Sequence, residues 1–120
     1  MRALVIDDSR AMRRIISGLL TEAGFEVLEA GNGQEALDAL AAGERVELAL
    51  VDWNMPVLDG LEFVKRVRGD DAHARMKIMM VTTETGVGEM TEALDAGADE
   101  YVMKPFSSEV IMEKLRLLGF

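Results

Sequence analysis

Cysteine is absent from this 120-residue chain, so disulfides, thiolate chemistry and cysteine-ligated zinc are excluded. Basic residues are scarce too, 13 against 22 acids, and the formal charge of -9 argues against a general nucleic-acid surface, which needs clustered Lys and Arg. The surplus of acid reads first as solubility. No apolar run approaches the roughly 20 residues of a membrane span. Met1-Arg2 leads directly into a strand pattern rather than a signal peptide, so a cytoplasmic protein is expected, with no membrane partner. The single histidine, His73, lies in the polar run Asp70 to Arg75 and is read as solvated, with no role. The length bounds the chain to one domain, residues 1–120.

What the chain does have is centred on Leu48 to Gly60, LALVDWNMPVLDG. Four apolar residues run into Asp52, which predicts a strand buried on both faces with a carboxylate at its end. The same arrangement recurs along the chain. Ala3 to Ile6 ends in Asp7-Asp8-Ser9, Lys77 to Val81 in Thr82-Thr83-Glu84, and Tyr101 to Met103 in Lys104-Pro105. Phe25 to Ala30 is more alternating, ends without a comparable polar group and is read as an outer strand.

Between the strands lie helical spacings. The first helix turns Met12, Ile15, Ile16, Leu19, Leu20 and Ala23 inward, exposes Arg13, Arg14 and Glu22, and closes at Gly24. The second uses Ala36, Leu37, Leu40 and Ala41, and the third Leu61, Val64 and Val67. The fourth uses Met90, Ala93 and Leu94, and the last Val110, Ile111, Leu115 and Leu118. Gly86-Val87-Gly88 lacks the spacing of a phosphate loop and reads as the start of the fourth helix. The nine methionines read as adaptable core filling.

Five strand-helix units of this kind predict an α/β fold, a single-domain parallel doubly wound sheet with right-handed crossovers. Asp7, Asp8, Asp52, Thr82 and Lys104 then share one sheet edge, the edge where such folds bind ligands. Three converging carboxylates with one ammonium call for a cation, and Mg²⁺, a hard ion that takes oxygen ligands, suits them. The Asn54 carbonyl, just beyond the strand, is placed to add a further oxygen. Such a site invites phosphate, with Lys104 and the Thr82 hydroxyl contacting its oxygens and helix amino termini adding N–H donors. Without a thiol, the natural nucleophile is a carboxylate, and Asp52 is central.

VIDDSRAMRRI, VDWNMPVLDGLEFVK, MMVTTE and AGADEYVMKPFS together resemble the receiver domains of two-component response regulators, most closely the single-domain chemotaxis members, over essentially the whole chain. The resemblance implies a flavodoxin-like sheet with strand order 2-1-3-4-5. It implies that Asp52 accepts a phosphoryl group from a histidine kinase and that Asp7, Asp8, Asp52 and the main-chain carbonyl of Asn54 hold Mg²⁺. It makes Thr82 and Lys104 the phosphoryl-sensing pair, Tyr101 a ring that moves inward on activation, and the Lys104-Pro105 bond cis. An amide at Asn54 with an acid at Glu84 implies a short-lived phosphoryl group. The output is then a change in the face formed by the fourth helix, fifth strand and fifth helix, read by a partner, with the flagellar switch one candidate.

The chain departs from the enteric chemotaxis member at Ser9, at Thr83 and at Gly86-Val87, where that protein has lysines. A monomer that catalyses only its own phosphorylation and dephosphorylation is expected. Three alternatives stand beside this reading: a phosphatase with an aspartate nucleophile, a receiver from another phosphorelay or from a longer regulator, and a binding module that is never phosphorylated. The ending Leu118-Gly119-Phe120 reads as a finished terminus.

Overall fold

Every side chain of Leu48–Val51 is buried, and the two faces of this strand enter different cores. Ala49 and Val51 join one apolar cluster and Leu48 and Leu50 the other. The neighbouring strands split the same way: Leu4 and Ile6 against Ala3 and Val5, and Ile78 and Met80 against Met79 and Val81. Alternate residues of a strand point to opposite faces, so unbroken apolar runs require helices on both sides of the sheet.

A computed structural model describes residues 1–84 and 86–120. Its elements are β1 (Arg2–Ile6), α1 (Arg10–Glu22), β2 (Glu26–Ala30), α2 (Gly33–Ala41), β3 (Leu48–Val51), α3 (Gly60–Arg68), a single 3-10 turn (Asp71–His73), β4 (Lys77–Thr82), α4 (Val87–Ala96), β5 (Glu100–Met103) and α5 (Ser108–Leu117). All neighbouring strands pair in parallel, in the order β2-β1-β3-β4-β5, the expected arrangement, with β2 on the outside. Helices α1 and α5 cover one face through Ile16, Leu20, Ile111 and Leu115. Helices α2, α3 and α4 cover the other through Ala36, Leu40, Phe63, Val64, Val67 and Ala93.

Four helices start at the carboxyl edge of the sheet on a side-chain cap. Ser9, Asn32, Asp59 and Ser107 accept from the backbone N–H of Met12, Glu35, Glu62 and Val110 respectively. Each such cap contributes about 1 kcal/mol by satisfying an N–H that the helix leaves unpaired. The opposite edge is tied by Arg68, which donates to the carbonyls of Gly97 (2.9 Å) and His73 (3.2 Å) and to Asp99 (2.8 Å).

The apolar stripes are narrower than the spacing predicts. In the pairs Ile15-Ile16, Ala93-Leu94 and Val110-Ile111 one residue is buried and its neighbour is exposed. One residue turns a helix by about 100°, so at the margin of a stripe one neighbour meets the sheet while the next turns to solvent. Ala23 and Ala41 are exposed at helix ends, Met1 and Met103 are exposed rather than core filling, and His73 is half-buried within the 3-10 turn, its imidazole 3.8 Å from Asp70.

Two positions in the β3–α3 loop carry special constraint. Val57 is a β-branched residue at φ 70°, the centre of a tight turn in which Leu58 N–H donates to the Pro56 carbonyl at 2.8 Å. Gly60 lies against β3's end: a Cβ there would be 2.0 Å from the Asp52 carbonyl oxygen and 3.0 Å from Val51 Cγ1. We therefore expect Gly60→Ala to lower stability by about 1–3 kcal/mol, because backbone must move to admit one methyl. A urea midpoint equal to that of the parent protein would contradict this packing.

Candidate functional site

Asp7 and Asp52 each follow directly from a buried strand, one residue beyond the last ladder residues Ile6 and Val51, which pair with each other. Register therefore sets the two carboxylates side by side. Asp7 and Asp52 are buried and Asp8 is exposed, yet each offers an oxygen within 4.8 Å of the others. Thr82 ends β4, fully buried, and Lys104 follows β5 with its amide donating to the Thr82 carbonyl at 2.8 Å. The Lys104-Pro105 peptide bond is cis.

Lys104 joins the site across the sheet. Its Nζ lies 2.8 Å from Asp7 Oδ2 and 3.3 Å from Asp52 Oδ2. The remaining carboxylate oxygens take backbone donors: Ser9 N–H to Asp7 Oδ1 at 2.8 Å and Trp53 N–H to Asp52 Oδ1 at 2.7 Å. Burial first, then the nearby Asp7 charge, pushes the Asp52 carboxyl above the ordinary carboxylate range, against the opposing pull of Lys104. Burial acts to lower the Lys104 ammonium, but the hydrogen bond to Asp7 and attraction to both aspartates outweigh it and hold Lys104 above the usual lysine value. Lys104 is therefore a fixed positive charge at neutral pH.

Three carboxylates against one ammonium leave a formal surplus of two negative charges in a partly buried cleft. All three donors are carboxylate oxygens, two of them on rigid strand ends, and this set fits a hard divalent cation such as Mg²⁺.

The other residues singled out in the sequence form the wall beside this cleft. The exposed Asn54 side chain donates from Nδ2 to Glu84 Oε1 at 2.6 Å. The Glu84 N–H donates to Thr82 Oγ1 at 3.2 Å, and the Glu84 carbonyl accepts from the Tyr101 hydroxyl at 2.7 Å. Tyr101 is already buried here, so its ring occupies the inward position. Burial, then the charges of Glu84 and Glu89, hold its phenol above the ordinary value, so it remains a donor. Thr83 is exposed. Trp53 is partly buried against the core beside Asp52.

One residue that sequence reasoning assigned to solvent belongs to the site. Arg13 is largely buried; its Nη1 donates to the Asp7 carbonyl at 2.6 Å and its Nε to Glu29 at 3.1 Å. Glu29 at the end of β2 thus does have a polar role, anchoring the arginine that holds the β1–α1 turn. The signal was available: an arginine on the first turn of α1 and an acid at the end of the neighbouring strand.

The Asp52 shift has a defined sign for stability. Between its ordinary value of 3.8 and its raised native value, the folded protein binds more protons than the unfolded chain, so stability falls as pH rises through that window. In metal-free buffer at pH 7, Asp52→Asn should unfold at a higher urea concentration than the parent, and the advantage should vanish below pH 3.8. A variant less stable than the parent at pH 7 would contradict the assigned strain.

With this geometry in place, the chain matches the response regulator receiver domain family over residues 3–116. It is 50% identical over 116 residues to a chemotaxis protein CheY homolog of Campylobacter jejuni, covering 96% of this chain and 89% of that protein. It is 45% identical over 119 residues to chemotaxis protein CheY1 of Helicobacter pylori, covering 98% and 96%. The structure of Vibrio cholerae chemotaxis protein CheY4 superposes with a TM-score of 0.89 at 38% identity, covering 98% of this chain and 97% of that one. The convergent aspartates, the buried threonine and the lysine bridging two strand ends thus stand in a chain that belongs to the response regulator receiver domain family, of the CheY type.

Proposed function

We propose that residues 1–120 act as one phosphorylation switch in which Asp52 is the phosphoacceptor. The observation that carries this is the convergence of Asp52 with Asp7, Asp8 and Lys104 at the carboxyl edge of a buried sheet. An oxygen of Asp52 attacks the phosphorus of a histidine kinase's phosphohistidine. A P–O bond forms, the P–N bond breaks, and its electron pair leaves with the imidazole. Lys104, already 3.3 Å from Asp52, meets one phosphoryl oxygen, and the Thr82 hydroxyl, whose oxygen accepts from the Glu84 N–H, donates its proton to a second. Asp7, Asp8, Asp52 and the Asn54 carbonyl would hold Mg²⁺, which when bound supplies the positive charge that offsets the incoming phosphoryl group.

The signal leaves through hydrogen bonds. Drawing Thr82 toward Asp52 vacates space for the Tyr101 ring, whose hydroxyl donates to the Glu84 carbonyl in the inward position, and biases the α4–β5–α5 face between two arrangements. A monomer whose output is partner binding fits this arrangement, and the Asn54-Glu84 pair at the cleft wall fits a short-lived phosphoryl group. The names of its relatives support a chemotaxis pathway, and we read the protein as a cytoplasmic switch that acts on no substrate beyond itself. Among the described residues no helix is long and apolar enough to cross a membrane.

Incubation with acetyl phosphate and Mg²⁺ should add one phosphoryl mass to the intact protein, and Asp52→Asn should reduce that uptake at least about a hundredfold. Lys104→Ala should retain Mg²⁺ binding while losing the response to the phosphoryl group. Labelling of Asp52→Asn at the parental rate would refute the assignment. Turnover of p-nitrophenyl phosphate would instead favour an aspartate phosphatase.

A further inference from the structure

The amino edge of the sheet, opposite the aspartates, holds a cleft of about 790 Å³. It lies between the connection entering β3, residues 42–47, and the turn entering β4, residues 71–76, and these two strands are neighbours. Both connections are pinned. Arg2 donates its backbone N–H to Glu47 Oε2 at 2.8 Å and its guanidinium to Glu44 at 2.7 Å, and the Glu47 carbonyl accepts from the Lys77 N–H at 2.9 Å. On the other wall Arg68 donates to the His73 carbonyl at 3.2 Å, and the Asp70 side chain accepts from the Ala72 N–H at 3.0 Å. A cleft between walls tied in this way exists before a ligand arrives, and its volume lies in the range of about 300–1,000 Å³ that small-molecule sites take.

The lining combines two chemistries. Leu40 and Met76, 6% and 3% exposed, and the partly buried Val46 belong to the core and give the cleft an apolar floor. Ala72 and Ala74 put only methyl groups into it. Arg45 on one wall and Arg75 on the other are exposed, and among the described residues neither forms an ion pair. The acids of the lining are largely engaged: Glu44 and Glu47 are held by Arg2, which leaves the exposed Asp71, while the His73 imidazole lies 3.8 Å from Asp70. A guanidinium is a planar fork of donors that matches a carboxylate or a phosphate. Two such forks beside an apolar floor suit a molecule with an anionic end and an apolar body. An inorganic ion would leave the floor in water, and a neutral apolar molecule would leave both guanidiniums without a partner.

We propose that this cleft binds a small organic anion, an apolar body bearing one phosphate or carboxylate group, with the body on Leu40, Val46 and Met76 and the anion held by Arg45 and Arg75. The site is separate from the phosphoacceptor, since Leu48 and Lys77 open strands that reach Asp52 and Thr82 only at their far ends. Its chemistry is independent of Asp52.

The test titrates naphthyl phosphate, naphthoate, naphthol and inorganic phosphate into the ¹⁵N-labelled protein in Mg²⁺-free buffer with EDTA, where the acidic carboxyl edge repels anions. Amide shifts are expected at residues 42–47 and 71–77, with naphthyl phosphate binding at least about tenfold more tightly than either naphthol or inorganic phosphate. Naphthoate binding as tightly as the phosphate ester supports an anion of either kind, and naphthoate as weak as naphthol supports a site for phosphate esters. Arg45→Gln with Arg75→Gln should weaken the binding of naphthyl phosphate at least about tenfold. Ala74→Trp, which keeps both arginines and fills the cleft from an exposed position, should do the same, with urea midpoints close to the parent's in both variants. Naphthyl phosphate bound no more tightly than its two parts, shifts confined to other residues, or parental affinity in either variant would overturn the proposal.

Discussion

The crowding of like charge at the carboxyl edge of the sheet is the constraint on which the rest depends. Asp7 and Asp52 cannot move apart, because each is fixed by the strand before it and by the register between Ile6 and Val51. Burial and the neighbouring charge raise the Asp52 carboxyl, and the Lys104 ammonium in contact with it offsets only part of the repulsion. The fold holds this strain through the hydrophobic burial of β1 and β3 on both faces, and the surplus negative charge suits a divalent cation. Arg13 helps from behind by holding the Asp7 carbonyl and leaving the carboxylate free to face the cleft.

From this edge a chain of short contacts leads to the surface. Thr82 receives the Glu84 N–H, Glu84 receives both Asn54 and Tyr101, and Tyr101 lies within β5, whose end is Lys104's neighbour. Tyr101 is buried in this arrangement, with its hydroxyl bonded to the Glu84 carbonyl.

The sheet was legible because both-face burial writes an unmistakable pattern: LVI before Asp7, LALV before Asp52 and IMMV before Thr82 all run apolar without a break. Polar residues placed at the ends of such runs were legible for the same reason, since parallel strands align their ends. Helix faces were less so. Ile15, Leu94 and Val110 each adjoin a buried residue, and sequence spacing alone does not say which of two neighbours meets the sheet. Arg13 was misplaced for another reason: an arginine on a helix's first turn reads as solvated unless the acid opposite it, here Glu29 on the edge strand, is known to be near.

Trp53 gives the most direct test, since its backbone N–H donates to Asp52 and its partly buried side chain packs against the core next to it. Its fluorescence should change saturably on addition of Mg²⁺, and again on addition of beryllofluoride only when Mg²⁺ is present. In Asp7→Asn the first change should demand a much higher Mg²⁺ concentration. A fluorescence indifferent to Mg²⁺, or a response equal in parent and variant, would mean that the three aspartates do not act together as a cation site, and the account built on their convergence would fail.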